Sequence, residues 1–208
     1  MSNFSLQYLD IISKEFDKLN LTRILELEEF EQKQFWDSLL PAQRLDCFKK
    51  FFNGNYLGVD IGFGGGFPIL PLATHFTAMS FIGFDARNKK VDAVNKIARL
   101  MKINNVKTYH ERVENIFFDL DTVMTFKAVG KIDKFLNLIY GKGDINIFFY
   151  KSLGQEKIDG FKHFKLICNE SIEIPGKDKI TRRILGYKMT VPRGTSKKLK
   201  KVSEFLKK

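Results

Sequence analysis

Cysteine is scarce in this 208-residue chain: Cys47 and Cys168 are the two present, and neither belongs to a CxxC pair. That spacing supports neither a zinc site nor a disulfide framework, and it fits a reducing compartment. The N-terminal stretch MSNFSLQYLD lacks a charged segment followed by an apolar one, so a secretory signal is not expected. No uncharged apolar run reaches the roughly 18 residues of a spanning helix, so the expected location is cytoplasmic. The three histidines, His75, His110 and His163, form no constellation with one another or with an acid. A metal partner, a membrane and a second copy of the chain are likewise not expected, and there is no internal repeat.

What is abundant is positive charge and phenylalanine. The formal net charge is +11, the pI is about 9.5, and 21 residues are Phe. A balance this basic favours an anionic partner such as nucleic acid. Residues 188–208 carry eight Lys or Arg and one acid, Glu204. Lys197, Lys198, Lys200 and Lys201 in this tail are candidate phosphate contacts, or simply a solvated end.

Hydrophobic periodicity changes once along the chain. Leu6, Leu9, Ile12, Phe16 and Leu19 recur at helical steps, a second helical segment covers about 25–39, and Pro41 suits the first turn of a third. Residues 1–55 therefore read as a helical prelude. Short apolar runs at 56–61, 79–84, 106–109, 122–126 and 145–150 then alternate with helical patterns near 68–76, 89–102, 112–118 and 132–140. Such alternation implies βαβ units and a parallel sheet covered on both faces. Residues 161–171 and 180–191, joined by the turn cluster Ile174–Asp178, predict a closing antiparallel hairpin. The fold class expected for 56–191 is α/β and Rossmann-like, with 192–208 as a basic tail that is either a short helix or disordered.

One turn carries chemistry. Asp60-Ile61-Gly62-Phe63-Gly64-Gly65-Gly66-Phe67-Pro68 follows a strand and opens a helix. Ligands of open parallel sheets sit there, at the carboxyl ends of the strands. The dinucleotide fingerprint fails, because its sixth place holds Phe67 or Ile69 where a small residue is needed. No Gly-Lys-Ser/Thr follows, which removes the phosphate loop. A cofactor without phosphates, S-adenosylmethionine, suits the turn better. Asp85, 25 residues on and ending the next strand, can accept from ribose hydroxyls or cap the helix that follows. Backbone amides of Glu111-Arg112-Val113-Glu114 can border an adenine ring, or this is a charged helix start.

Asp60-x-Gly62-x-Gly64-x-Gly66-Phe67-Pro68-x-x-Pro71-Leu72-Ala73 resembles the cofactor motif of the bacterial small-subunit ribosomal RNA guanine-N7 methyltransferases, the RsmG (GidB) family. Asn20-Leu21-Thr22, Asp37-Ser38-Leu39, Lys89-Lys90-Val91 and Arg112-Val113-Glu114 match further family stretches in order. The likeness runs from about residue 6 to 155. It implies a class I methyltransferase fold, a seven-stranded, mostly parallel sheet under an N-terminal helical cap. It also implies an S-adenosylmethionine cofactor, ribosomal RNA as partner, and cofactor contacts at Gly62, Phe67, Val113, Glu114 and Lys127. Asp60, Gly64, Gly66 and Asp85 complete the cofactor candidates. Two departures stand out. Phe126-Lys127-Ala128 replaces the family's Ser-Arg-Ala, and Lys33-Gln34 replaces an Arg-His pair. Lys127 becomes the candidate for an electrostatic role and Lys33 for RNA contact. A guanine N7 has a lone pair and no proton, so the missing general base is expected of such an enzyme. The competing readings are methylation of another RNA, a protein or a small molecule, and a non-catalytic RNA-binding protein on the same scaffold.

Overall fold

The computed structural model describes residues 2–16, 19–154, 159–195 and 198–207. The helical prelude is present as a cap. Helix α1 (Asn3–Glu15) is closed at its start by Ser2, whose hydroxyl accepts from the Ser5 amide. Helix α2 (Leu27–Phe30) runs into a π-helical stretch, Glu31–Trp36, and on into α3 (Asp37–Arg44). Pro41 lies inside α3 and not at a helix start as expected, because the π-helical stretch carries the chain through without a break. Helix α4 (Asp46–Lys49) closes the cap.

The core is one seven-stranded sheet. Strands β1 (Leu57–Ile61), β2 (Phe81–Asp85), β3 (Val106–His110), β5 (Thr122–Lys127) and β7 (Ile145–Lys151) are parallel, and β8 (Phe164–Ile174) and β9 (Ile180–Met189) form the antiparallel hairpin. Their order is β3-β2-β1-β5-β7-β9-β8, and the seven-stranded, mostly parallel sheet with its closing hairpin is present as expected. Neighbouring residues of a strand face opposite sides, so the sheet feeds two cores. Phe81, Val123 and Phe148 pack under α5 (Ile69–His75), α6 (Asn88–Leu100) and the cap. Ile82, Met124 and Phe149 pack on the other side with Ile132 and Leu136 of α7 (Ile132–Leu136). Coverage of both faces buries every residue of β1 and β2 and all but the last of β5 and β7, which is why these strands are mostly apolar without alternation.

Two further expectations are corrected, and a third is settled. Residues 112–118 are not a helix: a single 3₁₀ turn, Val113–Asn115, leads into strand β4 (Ile116–Phe118), whose β-branched and aromatic side chains suit a pleated surface. The basic tail, expected as a short helix or disordered, is in part a short helix where it is described. Its strand β10 (Lys200–Lys201) pairs with β4, which pairs with β6 (Tyr140–Gly141), and helix α8 (Val202–Leu206) buries Val202 and Phe205. Finally, Cys47 and Cys168 are bonded to each other, tying α4 to β8. Sequence spacing is uninformative here because the sheet brings their Cα atoms to 5.5 Å. No helix among the described residues is long and apolar enough to cross a membrane.

Candidate cofactor and acceptor site

The glycine turn lies at the carboxyl end of β1. Gly62, Gly64 and Gly66 have φ of 72°, 58° and 96°, in the left-handed region that other residues rarely adopt. Gly65 is needed for a different reason. A Cβ there would come 2.5 Å from the Leu21 carbonyl oxygen and 3.1 Å from the Tyr8 hydroxyl. The cap thus presses on the turn, and the buried Tyr8 hydroxyl donates to the Gly65 carbonyl at 2.7 Å. Phe67 fills the same seam, with its ring 5.1 Å from Tyr8 and 5.6 Å from Phe30.

Two carboxylates fix the turn. Asp60 is buried; its Oδ2 accepts from the Ile69 amide at 3.1 Å and its Oδ1 from the Thr125 hydroxyl at 3.0 Å. Burial pushes its carboxyl up to about 7, against the pull of the Thr125 and Ile69 donors. Asp85, at the end of β2, accepts from the Gly64 amide through Oδ2 at 3.0 Å and from the Arg87 amide through Oδ1 at 2.9 Å. A carboxylate offers about four lone-pair positions, so acceptor capacity remains.

A cavity of about 560 Å³ opens beside this turn, within the range of cofactor sites. Gly62, Gly64, Phe67 and Asp85 line it, and so do Lys127 at the end of β5 and Lys33 and Gln34 from the π-helical stretch. Asp60 and Gly66 do not line it; Asp60 acts through its hydrogen bonds to Ile69 and Thr125. Val113 is buried in the core and Glu114 is half-buried; neither lines this cavity, although the Glu111 amide donates to the Asp85 carbonyl at 3.3 Å and keeps their segment alongside.

A buried ion cluster forms the cavity's far wall. Asp37, 1% exposed, takes Lys127 Nζ on Oδ2 at 2.9 Å and Arg182 of β9 as a fork, Nε to Oδ1 at 2.6 Å and Nη2 to Oδ2 at 3.0 Å. Burial alone would raise the Asp37 carboxyl, but the Lys127 and Arg182 charges outweigh it and hold it below the ordinary carboxylate range. Burial dominates at Lys127 and lowers its ammonium, with Asp37 opposing. Arg182 is the residue the sequence reading missed. It belongs to the hairpin, far from every motif, and only its chain neighbourhood of alternating strand residues is visible.

The RNA candidates fare unevenly. Lys33 is paired with Glu29 and Asp178, both at 2.7 Å, so it adds no net charge. Those two hydrogen bonds, to Asp178 first, push it up to about 12. Lys200 pairs with Glu111, while Lys198 and Lys201 are exposed. Lys197 lies outside the described residues. Among those residues the single grouping of metal-ligand types, Cys47, Cys168 and Glu170, has its two sulfurs bonded to each other.

The chain matches the model of the GidB family, rRNA small subunit methyltransferase G, over residues 2–172. It belongs to this family. The ribosomal RNA small subunit methyltransferase G of Microcystis aeruginosa is 30% identical over 141 residues, covering 63% of this chain and 61% of that protein. The Bacillus licheniformis protein of the same name is 32% identical over 141 residues, covering 64% and 57%. The Staphylococcus aureus one is 28% identical over 153 residues, covering 70% and 62%. The match thus spans about three fifths of the length of these GidB relatives. Among solved structures, mitomycin 7-O-methyltransferase MmcR superposes with a TM-score of 0.57 at 13% identity, covering 87% of this chain and 60% of that one. That likeness establishes the Rossmann-like methyltransferase fold.

Proposed function

We propose that the chain is an S-adenosylmethionine-dependent methyltransferase acting on N7 of a guanine in small-subunit ribosomal RNA. The observation that carries the reading is the cavity itself. A glycine turn in the left-handed region, a ribose-competent carboxylate with acceptor capacity left, and a cationic far wall share one space at the strand ends of a chain of this family. A ribosomal substrate makes it a cytoplasmic protein.

S-adenosylmethionine supplies an already activated methyl group. The residues then have to bind, orient and exclude water. Gly62 and Gly64 let a ligand lie against the backbone, and Asp85 accepts from its ribose hydroxyls. Phe67 and the cap seal the back of the site. N7 of neutral guanine attacks with a lone pair and loses no proton, so positioning and electrostatics carry the acceleration. Lys127 contributes a fixed positive field at the acceptor side.

The test is a map of N7-methylguanosine in ribosomal RNA from cells with and without this chain, joined to methyl transfer by the purified protein. One small-subunit guanine should lose its methyl group and regain it in vitro. An unchanged map, or transfer to a protein or small molecule alone, rejects the substrate.

A further inference from the structure

The far wall holds two cations, and counting their donors separates them. The Lys127 ammonium has three N–H groups. They are spent on Asp37 Oδ2 at 2.9 Å, the Ser38 hydroxyl at 3.1 Å and the Lys33 carbonyl at 3.4 Å. The Arg182 guanidinium has five, of which two go to Asp37. Three remain, both on Nη1 and one on Nη2, and they have no other partner among the described residues. Arg182 lines the cavity, and its side chain is 19% exposed. Lys127 is locked into the protein, whereas Arg182 is held by one edge and offers the other.

Its place in the sheet shows which side of the cavity it serves. Arg183 is opposite Lys151, the last residue of β7, so Arg182 stands past the carboxyl edge of that strand. From β2, which carries Asp85, to β9 is four strand steps, about 19 Å at the usual spacing. Arg182 is therefore across the cavity from the ribose position. At the opposite rim, Arg87 and Lys90 line the cavity and their side chains make no ion pair among the described residues. Helix α6 begins there with Lys89 and Lys90 and without an acid in its first turn, an arrangement the helix dipole disfavours. Asp37 is one carboxylate for two cations, so positive charge is in surplus at both ends of the mouth, which suits a polyanion that crosses it. A single carboxylate would need one end.

We propose that Arg182 and the Arg87–Lys90 pair grip phosphates at the two ends of an RNA strand laid across the cavity mouth, with Asp37 orienting the Arg182 fork. Arg182 lies beyond residue 172, the last position matched by the family model. The inference rests on the RNA reading above and names how that RNA is held.

The experiment measures binding of a single-stranded small-subunit RNA fragment against salt, alongside calorimetry with S-adenosylhomocysteine. The proteins are the wild type, Arg182→Lys, Arg182→Gln, Lys90→Gln and Arg182→Gln/Lys90→Gln. Each lost phosphate contact should lower the log–log salt slope by about 0.7, and the double variant by about twice that, since separated sites add. Arg182→Lys keeps the charge and the Asp37 pair, so it should retain the slope while weakening RNA binding several-fold, and it guards against a variant that does not fold. Thioether affinity should stay within twofold throughout. If it drops tenfold in the Arg182 variants while the slope is unmoved, the fork holds the cofactor's carboxylate and the proposal is overturned. Wild-type slopes in every variant overturn it alone. A wild type that binds no RNA overturns it together with the RNA reading.

Discussion

Asp37→Asn is the substitution for which the structure makes the sharpest demand. The carboxylate is 1% exposed and stands between two cations that are 11% and 19% exposed. Asparagine keeps the volume but removes the charge, and its amide nitrogen would face one of the two cations. Breaking a buried pair from one side leaves an uncompensated charge, at about 3–5 kcal/mol. With a urea slope of about 2 kcal/mol/M, the denaturation midpoint should fall by about 1.5–2.5 M. Adding Lys127→Met removes the orphaned cation, so the double variant should be more stable than Asp37→Asn alone by at least about 1 kcal/mol. The pH dependence has a fixed sign. The folded carboxyl is depressed, so its contribution is present above the unfolded value of about 4 and is lost as pH falls through the folded value. The gap between wild type and Asp37→Asn should accordingly narrow below pH 4. A loss under about 1 kcal/mol at pH 7, or a double variant weaker than the single, would refute the account of the far wall.

Other outcomes follow from the same geometry. Gly65→Ala places a methyl against the Leu21 carbonyl and the Tyr8 hydroxyl and should cost about 1–3 kcal/mol by chemical denaturation, with cofactor binding lost; wild-type values would mean the cap does not press on the turn. Asp60 keeps its proton to about 7 when folded and to about 4 when unfolded, so its folding contribution declines as pH rises between those values. Asp60→Asn, whose oxygen can accept from the Ile69 amide while its nitrogen donates to the Thr125 hydroxyl, should therefore gain a few kcal/mol over wild type at pH 8 and nothing at pH 4; equal gains at both pH values would contradict the raised carboxyl. Phe205→Ala should lower stability by about 3 kcal/mol, since its ring packs on Phe84 and Tyr109; an unaffected melting curve would show that the tail is not part of the fold.

Much of this architecture is legible in the residues, and the exceptions share a cause. The strands at Leu57–Ile61, Phe81–Asp85 and Ile145–Lys151 are buried on both sides, so they read as short apolar runs between turns. The glycine turn is legible because its backbone needs the residue type directly. Ile116–Phe118 is not legible as a strand because three residues carry no period, and its partners, Lys200–Lys201 and Tyr140–Gly141, are distant in sequence. The Cys47–Cys168 bond and the Asp37–Arg182 fork are long-range pairings of the same kind. Each depends on where the hairpin lies over the cap, which no local pattern encodes. Lys33 illustrates the converse: its charge is plain in the sequence, and its neutralisation by Glu29 and Asp178 is not.

Calorimetric titration of the purified chain with S-adenosylmethionine, set beside the same titration of Asp85→Ala, addresses the cavity most directly. One saturable site is expected, with affinity at least about tenfold lower in the variant, a loss of about 1.4 kcal/mol or more. No binding by the wild type, or equal affinity in the two proteins, would contradict the assignment of this cavity and its ribose-gripping carboxylate.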